Sequence, residues 1–133
     1  MTTASTDATL QPALDALQAA LGGAFFPPGS VPARNRNDYS GLAPTAPLAV
    51  ARQADTAGVA ATLRICNEHG VAVVPQGGLT GLCGGARAGS REVALSLESL
   101  VGIEEIDPAS ATMTVWAGTP LETIQQAASE AGF

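Results

Sequence analysis

One stretch limits the possible folds more than any other: Pro75-Gln76-Gly77-Gly78-Leu79-Thr80-Gly81-Leu82-Cys83-Gly84-Gly85-Ala86. It comes directly after the apolar run Val71 to Val74, which reads as a buried strand. Pro75 is expected to close that strand, because it has no N–H for a ladder. Glycines at 77, 78, 81, 84 and 85 remove the Cβ atoms that would hold a ligand away from the backbone. They also permit the positive φ angles at which successive N–H groups converge on an anion. Thr80 adds a hydroxyl donor. No acidic residue stands between Glu68 and Glu92, whereas Arg87 and Arg91 do, so a chain of net charge −6 is locally positive here. The pattern suits a pyrophosphate.

Known phosphate loops differ in the residues that come after the glycines. A P-loop needs Gly-Lys-Ser/Thr, and all 6 basic side chains of this sequence are arginines. A dinucleotide fingerprint needs G-x-G-x-x-G running into a helix. Here the spacing is G-G-x-x-G, and Ser90-Arg91-Glu92 leads into Val93-Ala94-Leu95-Ser96-Leu97, an alternating strand pattern. That leaves a strand, glycine loop and strand in which amides carry the anion rather than a helix N-terminus. A flexible surface linker is the bland alternative, but linkers are rarely so apolar between their glycines.

At 133 residues the chain is one domain's worth. A pI near 4.5 without a basic cluster excludes nucleic acid and anionic membrane surfaces as partners. No apolar run approaches the length of a bilayer span. The N-terminus has no positive n-region, and Asp7 and Asp15 precede the first arginine, Arg34, unlike a transit peptide. Cys66 and Cys83 make neither a disulfide framework nor a metal motif. A soluble, cytoplasmic protein is expected.

Read in order, residues 1–9 suggest a disordered tail. Leu10, Leu14, Leu17 and Leu21 fall at helical spacing up to Gly22-Gly23, which predicts an amphipathic helix over 10–21. Residues 24–47 carry Pro27, Pro28, Pro32, Pro44 and Pro47, an irregular arm. Arg34, Arg36 and Asp38 read as a solvated connector within it, with Tyr39 pinned against the body. Leu48–Arg52 reads as a strand. Asp55 or Thr56 caps a helix through His69, with Val59, Leu63 and Cys66 on its inner face and Gly70 as its stop. With Val71–Val74 these elements form a βαβ unit with parallel strands. Val93–Leu97, Ile103–Asp107 and Thr112–Ala117 predict three strands in an antiparallel meander, turned by Asp107-Pro108-Ala109-Ser110. Thr119-Pro120-Leu121-Glu122 then reads as a capping box opening a helix that buries Leu121, Ile124 and Ala128.

The loop resembles the P-x-G-G-x-T-G-L-x-G-G segment of the FAD-linked oxidases and dehydrogenases of the vanillyl-alcohol oxidase / p-cresol methylhydroxylase superfamily. Within it, the resemblance is to the branch of D-lactate dehydrogenase, D-2-hydroxyglutarate dehydrogenase and the FAD subunit of glycolate oxidase. Leu48–Arg52 with the helix ending Cys66-Asn67-Glu68-His69-Gly70 is similar to that branch's strand and helix before the loop. Ile103-Glu104-Glu105-Ile106-Asp107 and Trp116-Ala117-Gly118-Thr119-Pro120-Leu121 are similar to its segments after the loop. The match covers about residues 34–133.

The resemblance implies an α+β fold, the N-terminal part of a PCMH-type FAD-binding domain, with a helix and proline-rich arm over 1–43 and the domain half over 44–133. It implies that the backbone of Gln76, Gly77, Gly78, Leu79, Thr80, Gly81 and Leu82, with the Thr80 hydroxyl, holds the FAD pyrophosphate. Gly84 and Gly85 would let the loop pass close to the cofactor. Some relatives tether flavin through a histidine in this loop; here the only histidine is His69, at a helix end, so FAD is expected to be non-covalent. Cys83 is expected to be a small apolar filler. Relatives continue into a second glycine-rich segment and a substrate domain carrying the groups that handle the hydroxy acid. No catalytic residue and no metal ligand is therefore assigned. A small 2-hydroxy acid is the expected substrate of the complete protein, and self-association through an incomplete sheet is expected of this chain. Two other readings are an inert remnant that needs a partner polypeptide and a stand-alone nucleotide-binding module.

Overall fold

The computed structural model describes residues 8–133, so most of the expected tail lies outside the described residues. Leu14 and Leu17 are buried by helix α1 (Gln11–Leu21), with Leu10 buried just before it and Pro12 in its first turn. Strand β1 (Phe25–Phe26) and a 3-10 turn (Ala33–Arg36) come next. Strand β2 (Ala49–Arg52) leads to helix α2 (Thr56–Glu68), whose first turn is capped by Asp55: its Oδ1 accepts the Gly58 N–H at 2.7 Å. Gly70, at φ +64°, ends the helix, and the Val71 N–H returns to the Cys66 carbonyl at 2.8 Å. The buried face of α2 is Thr62, Ile65 and Cys66, with Val59 packed beside them. Leu63 lies one step around the helix and is 46% exposed, contrary to expectation.

Strand β3 (Ala72–Gln76) contains Pro75 instead of ending before it. That is tolerated because β3 is an edge strand, paired only with β4 (Glu92–Ser96). The sheet order is β1-β2-β4-β3, with β2, β4 and β3 mutually parallel and β1 antiparallel to β2. The βαβ reading holds in direction, but β4 is inserted between its two strands. The three-strand meander is therefore corrected: the strand expected over 93–97 is β4, which lies inside the parallel sheet. Only β5 (Ile103–Asp107) and β6 (Thr112–Val115) form the antiparallel hairpin, bulged between Ile103 and Glu105.

The reason is visible in burial. Val93, Ala94, Leu95 and Ser96 are all buried. Val93 and Leu95 join Ala49, Ala51, Phe25, Leu14, Leu17 and Ile65 under the helices. Ala94 joins Val50, Val31 and Ala88 on the other face. Ala94 and Ser96 look like the watery half of an alternating strand, yet they face a thin layer made by the arm and the loop's return. Strands buried on both faces are what a parallel arrangement requires.

Helix α3 (Leu121–Glu130) has no buried residue; Ile124 and Ala128 are half-buried and Leu121 is 66% exposed. Its capping box does not form. Pro120 is the N-cap, and the Thr119 hydroxyl instead donates to the carbonyls of Gly102 and Trp116 and accepts the Gly102 N–H at 3.0 Å. Gly118 donates to the Leu100 carbonyl at 2.8 Å, so the hairpin is stitched to the end of β4 by close backbone approach.

Candidate functional site

The connection from β3 to β4 is a parallel crossover, the kind of link that usually needs a dozen or more residues and a helix. A helix would engage its own amides. Residues 77–91 form none, and among the described residues no hydrogen bond engages the N–H groups of residues 77–86. Donors left open in this way are the raw material of an anion site.

The expected site residues lie together in this loop. Gly77, Gly78, Thr80, Gly81, Leu82 and Gly85 are exposed, and Leu79 is half-buried. The positive φ angles expected of the glycines occur at Leu79 (+60°) and Gly84 (+75°) and at none of Gly77, Gly78, Gly81 or Gly85. Left-handed backbone at a leucine costs roughly 1–2 kcal/mol. Such strain persists where the surroundings over-determine it, commonly at ligand sites.

Nor does the protein crowd these glycines. A Cβ at Gly77, Gly81 or Gly85 would meet nothing within 4 Å, and at Gly78 only the Thr80 side chain at 3.9 Å. With neither positive φ nor a close neighbour, nothing among the described residues requires glycine at these four positions. By contrast Gly84 is needed internally: its φ is positive and a Cβ would stand 3.0 Å from Leu42 Cδ1.

Gln76 differs from its neighbours. It is 1% exposed, and its side chain is engaged by the protein itself. Its Nε2 donates to the carbonyls of Ala86 at 2.8 Å and Asn35 at 3.1 Å, and its Oε1 accepts from Asn35 Nδ2 at 2.8 Å. The loop's exit is fixed by Arg87, whose N–H reaches the Gly84 carbonyl at 3.2 Å and whose guanidinium donates to the Ala43 carbonyl. Arg87 thus grips the arm as well as adding positive charge. The solvated-connector reading of the arm is overturned: Asn35 and Asp38 are buried, and Arg36 donates to the Val31 carbonyl at 3.2 Å. The Ser40 hydroxyl, its N–H and the nearby Arg87 charge hold the Asp38 carboxyl below the usual carboxylate range. Tyr39, expected against the body, is exposed, and so is Cys83, expected as a filler. Arg34 pairs with Glu98, which also meets Arg52 Nε at 2.6 Å. Arg52 in turn lies over the Phe26 ring at 4.7 Å.

Asn35 and Asp38 are buried groups that sequence reasoning took for solvated ones, because Arg34-Asn35-Arg36-Asn37-Asp38 has the composition of a surface. Arg87 was read for its charge alone, and its bond to the Ala43 carbonyl was not foreseen. His69, at the C-cap of α2, is exposed and away from the loop's own sequence. Among the described residues no group of His, Cys, Asp and Glu is arranged to hold a metal. No helix of the described residues is long and apolar enough to cross a membrane.

The loop thus presents open amides and uncrowded glycines on one surface, and comparison with known proteins gives the family. Residues 47–133 match the family model described as FAD binding domain. The D-2-hydroxyglutarate dehydrogenase of Xanthomonas citri pv. viticola is 46% identical over 87 residues, 65% of this chain and 18% of that protein. The mitochondrial D-2-hydroxyglutarate dehydrogenase of Danio rerio is 39% identical over 82 residues, 62% of this chain and 15% of that protein. Among solved structures, 4-ethylphenol oxidase from Gulosibacter chungangensis aligns over 97% of this chain and 26% of its own, at TM-score 0.76 and 19% identity. p-Cresol methylhydroxylase aligns over 95% and 25% at TM-score 0.72 and 19% identity. The structural likenesses establish the fold, and the chain spans under a fifth of the length of these curated relatives.

Proposed function

The chain belongs to the FAD binding domain family, and on that premise we propose that its loop 76–82 holds the FAD diphosphate in a flavin-dependent oxidoreductase of small 2-hydroxy acids. Residues 44–133 are, on this reading, the N-terminal half of the FAD domain, and residues 1–43 the helix and arm leading into it. The observation that carries the proposal is the set of four glycines, 77, 78, 81 and 85, that nothing among the described residues requires, beside amides with no partner among those residues. Bound FAD supplies the acceptor for a hydride from the substrate's α-carbon. This chain's residues do the holding: N–H groups of residues 77–82 donate to phosphate oxygens, the Thr80 hydroxyl adds a donor, and bare Cα atoms allow the approach. Gln76 contributes through its place at the neck of the loop. No histidine lies in the loop, so this loop offers the flavin no histidyl tether, and on this reading the FAD is held non-covalently.

The substrate class is that of the relatives, several of which bear the names of D-2-hydroxyglutarate or D-lactate dehydrogenases. A cytoplasmic setting belongs to the same reading, and the exposed free thiol of Cys83 suits a reducing compartment. Self-association is also expected, with Val101, Leu121 and Phe133 exposed.

The test is thermal unfolding with and without FAD. At a hundredfold excess over Kd, linkage gives roughly 2.7 kcal/mol, on the order of 10 °C for a chain of this size. Gly78→Val, which the fold can accommodate, should abolish the shift while leaving the unliganded midpoint in place. An undiminished FAD shift in that variant would remove the loop from the site.

A further inference from the structure

The buried pair Asn35–Gln76 is joined by a side chain–side chain bond, but the other two bonds of Gln76 end on backbone carbonyls that no substitution removes. Direction is what the pair adds. Gln76 stands where β3 enters the loop and Ala86 where the loop turns back, and a single Nε2 donates to the Ala86 carbonyl at 2.8 Å across a separation of ten residues. The second Nε2 proton goes to the Asn35 carbonyl at 3.1 Å, and Oε1 receives Asn35 Nδ2 at 2.8 Å. One primary amide therefore ties both rims of the loop to the arm.

Only glutamine does this. Glutamate would turn a carboxylate toward two carbonyl oxygens, and methionine would leave the Ala86 carbonyl and Asn35 Nδ2 buried without partners. Asn35 Oδ1 is buried and has no partner among the described residues, so the bond to Gln76 is what orients the Asn35 side chain. Two further contacts hold the same neck: the Arg87 guanidinium on the Ala43 carbonyl, and Leu42 beneath Gly84.

Resting on the diphosphate reading above, we infer that Gln76 and Asn35 are positioning residues: they close the neck of the glycine loop and present its unengaged amides as a preformed set to the cofactor's phosphates. A loop whose donors make no bonds of their own is ordered chiefly through its neck, where this amide joins the Arg87 and Leu42 contacts. Without the clamp, ordering would have to come from binding energy, and affinity would fall by the fraction of time the loop is correctly arranged.

The experiment compares the full chain with Gln76→Glu, Asn35→Ala and Gly78→Val. Two readouts are used: backbone 15N order parameters for residues 77–82 without ligand, and FAD titration followed by flavin fluorescence. In the unaltered chain the loop amides should be nearly as ordered as β3. In Gln76→Glu and Asn35→Ala their order parameters should fall toward flexible values, about 0.6 or below, with FAD affinity weakened about tenfold. A purely structural role would lower the melting temperature and leave loop order and the affinity of the folded protein unchanged; that result overturns the inference. If Gln76→Glu does not fold, Asn35→Ala decides, since it deletes one bond and keeps Gln76. Gly78→Val separates the two levels: undiminished FAD affinity there overturns the diphosphate reading, and the positioning role with it. Lost affinity there, with a loop unmoved in the clamp variants, sinks the clamp alone.

Discussion

Gly118 lies just past β6 and Gly78 just past β3, and the two glycines answer to different demands. A methyl group at Gly118 would run into the Leu97 carbonyl, where the hairpin is drawn against the end of β4. A methyl at Gly78 would meet only the Thr80 side chain at an ordinary 3.9 Å. Gly102, with φ +148° and Trp116 Cδ1 at 3.1 Å from a built Cβ, sides with Gly118. One region uses glycine to let backbone approach backbone. The other leaves a space that its own chain never fills. A residue type alone does not distinguish these cases, but the surroundings of a missing Cβ do.

The contrast is most easily broken at Gly118. Gly118→Ala should destabilise the chain by about 3 kcal/mol or more, read as a lower urea midpoint, because the Leu97 carbonyl and the Gly118 N–H are both held by bonds to Leu100 and neither can yield without losing one. A stability loss of that size from Gly78→Val would erase the distinction. Next in size, Gly81→Ala should leave stability unchanged or raise it by about 0.5 kcal/mol through the unfolded chain, while weakening FAD binding. Calorimetric titration beside urea unfolding checks both halves.

The smallest effect is electrostatic, with one aspartate in each region. Asp38 in the arm and Asp107 in the hairpin turn are held below the ordinary value of 3.8, in each case first by a serine hydroxyl, Ser40 and Ser110 respectively. A depressed folded pKa contributes stability above the unfolded pKa and loses it as pH falls through the folded one. Asp38→Asn and Asp107→Asn should therefore each flatten the acid-side decline in stability below about pH 4. A steeper decline in either variant would reverse that sign.

Local chemistry was readable from the sequence wherever one residue decides the outcome. Asp55 caps, Gly70 stops, Leu14 and Leu17 go inside, and the glycine loop leaves the C-terminal end of a strand. What the sequence concealed depends on what lies opposite. Ala94 and Ser96 pass for solvent-facing residues until Val31 and Ala88 are seen to form a second layer over the sheet. Thr119 has the composition of an N-cap, yet Gly102 offers its hydroxyl both a donor and an acceptor. Asn35 and Asp38 sit in a polar cluster that only the loop's return brings indoors. That the loop would leave the strand end was foreseen; the arm packed against its exit was not.

The insertion of β4 between β2 and β3 also bears on the order in which the molecule can assemble. Val93 pairs with Ala49, a separation of 93 − 49 = 44 residues, so the middle of the sheet is made by its most distant partners. Until that strand arrives, β2 and β3 each expose an unpaired edge facing a vacant slot. Such non-local closure is slow, and a newly made chain passes through a stage in which another molecule's strand could take the place meant for its own.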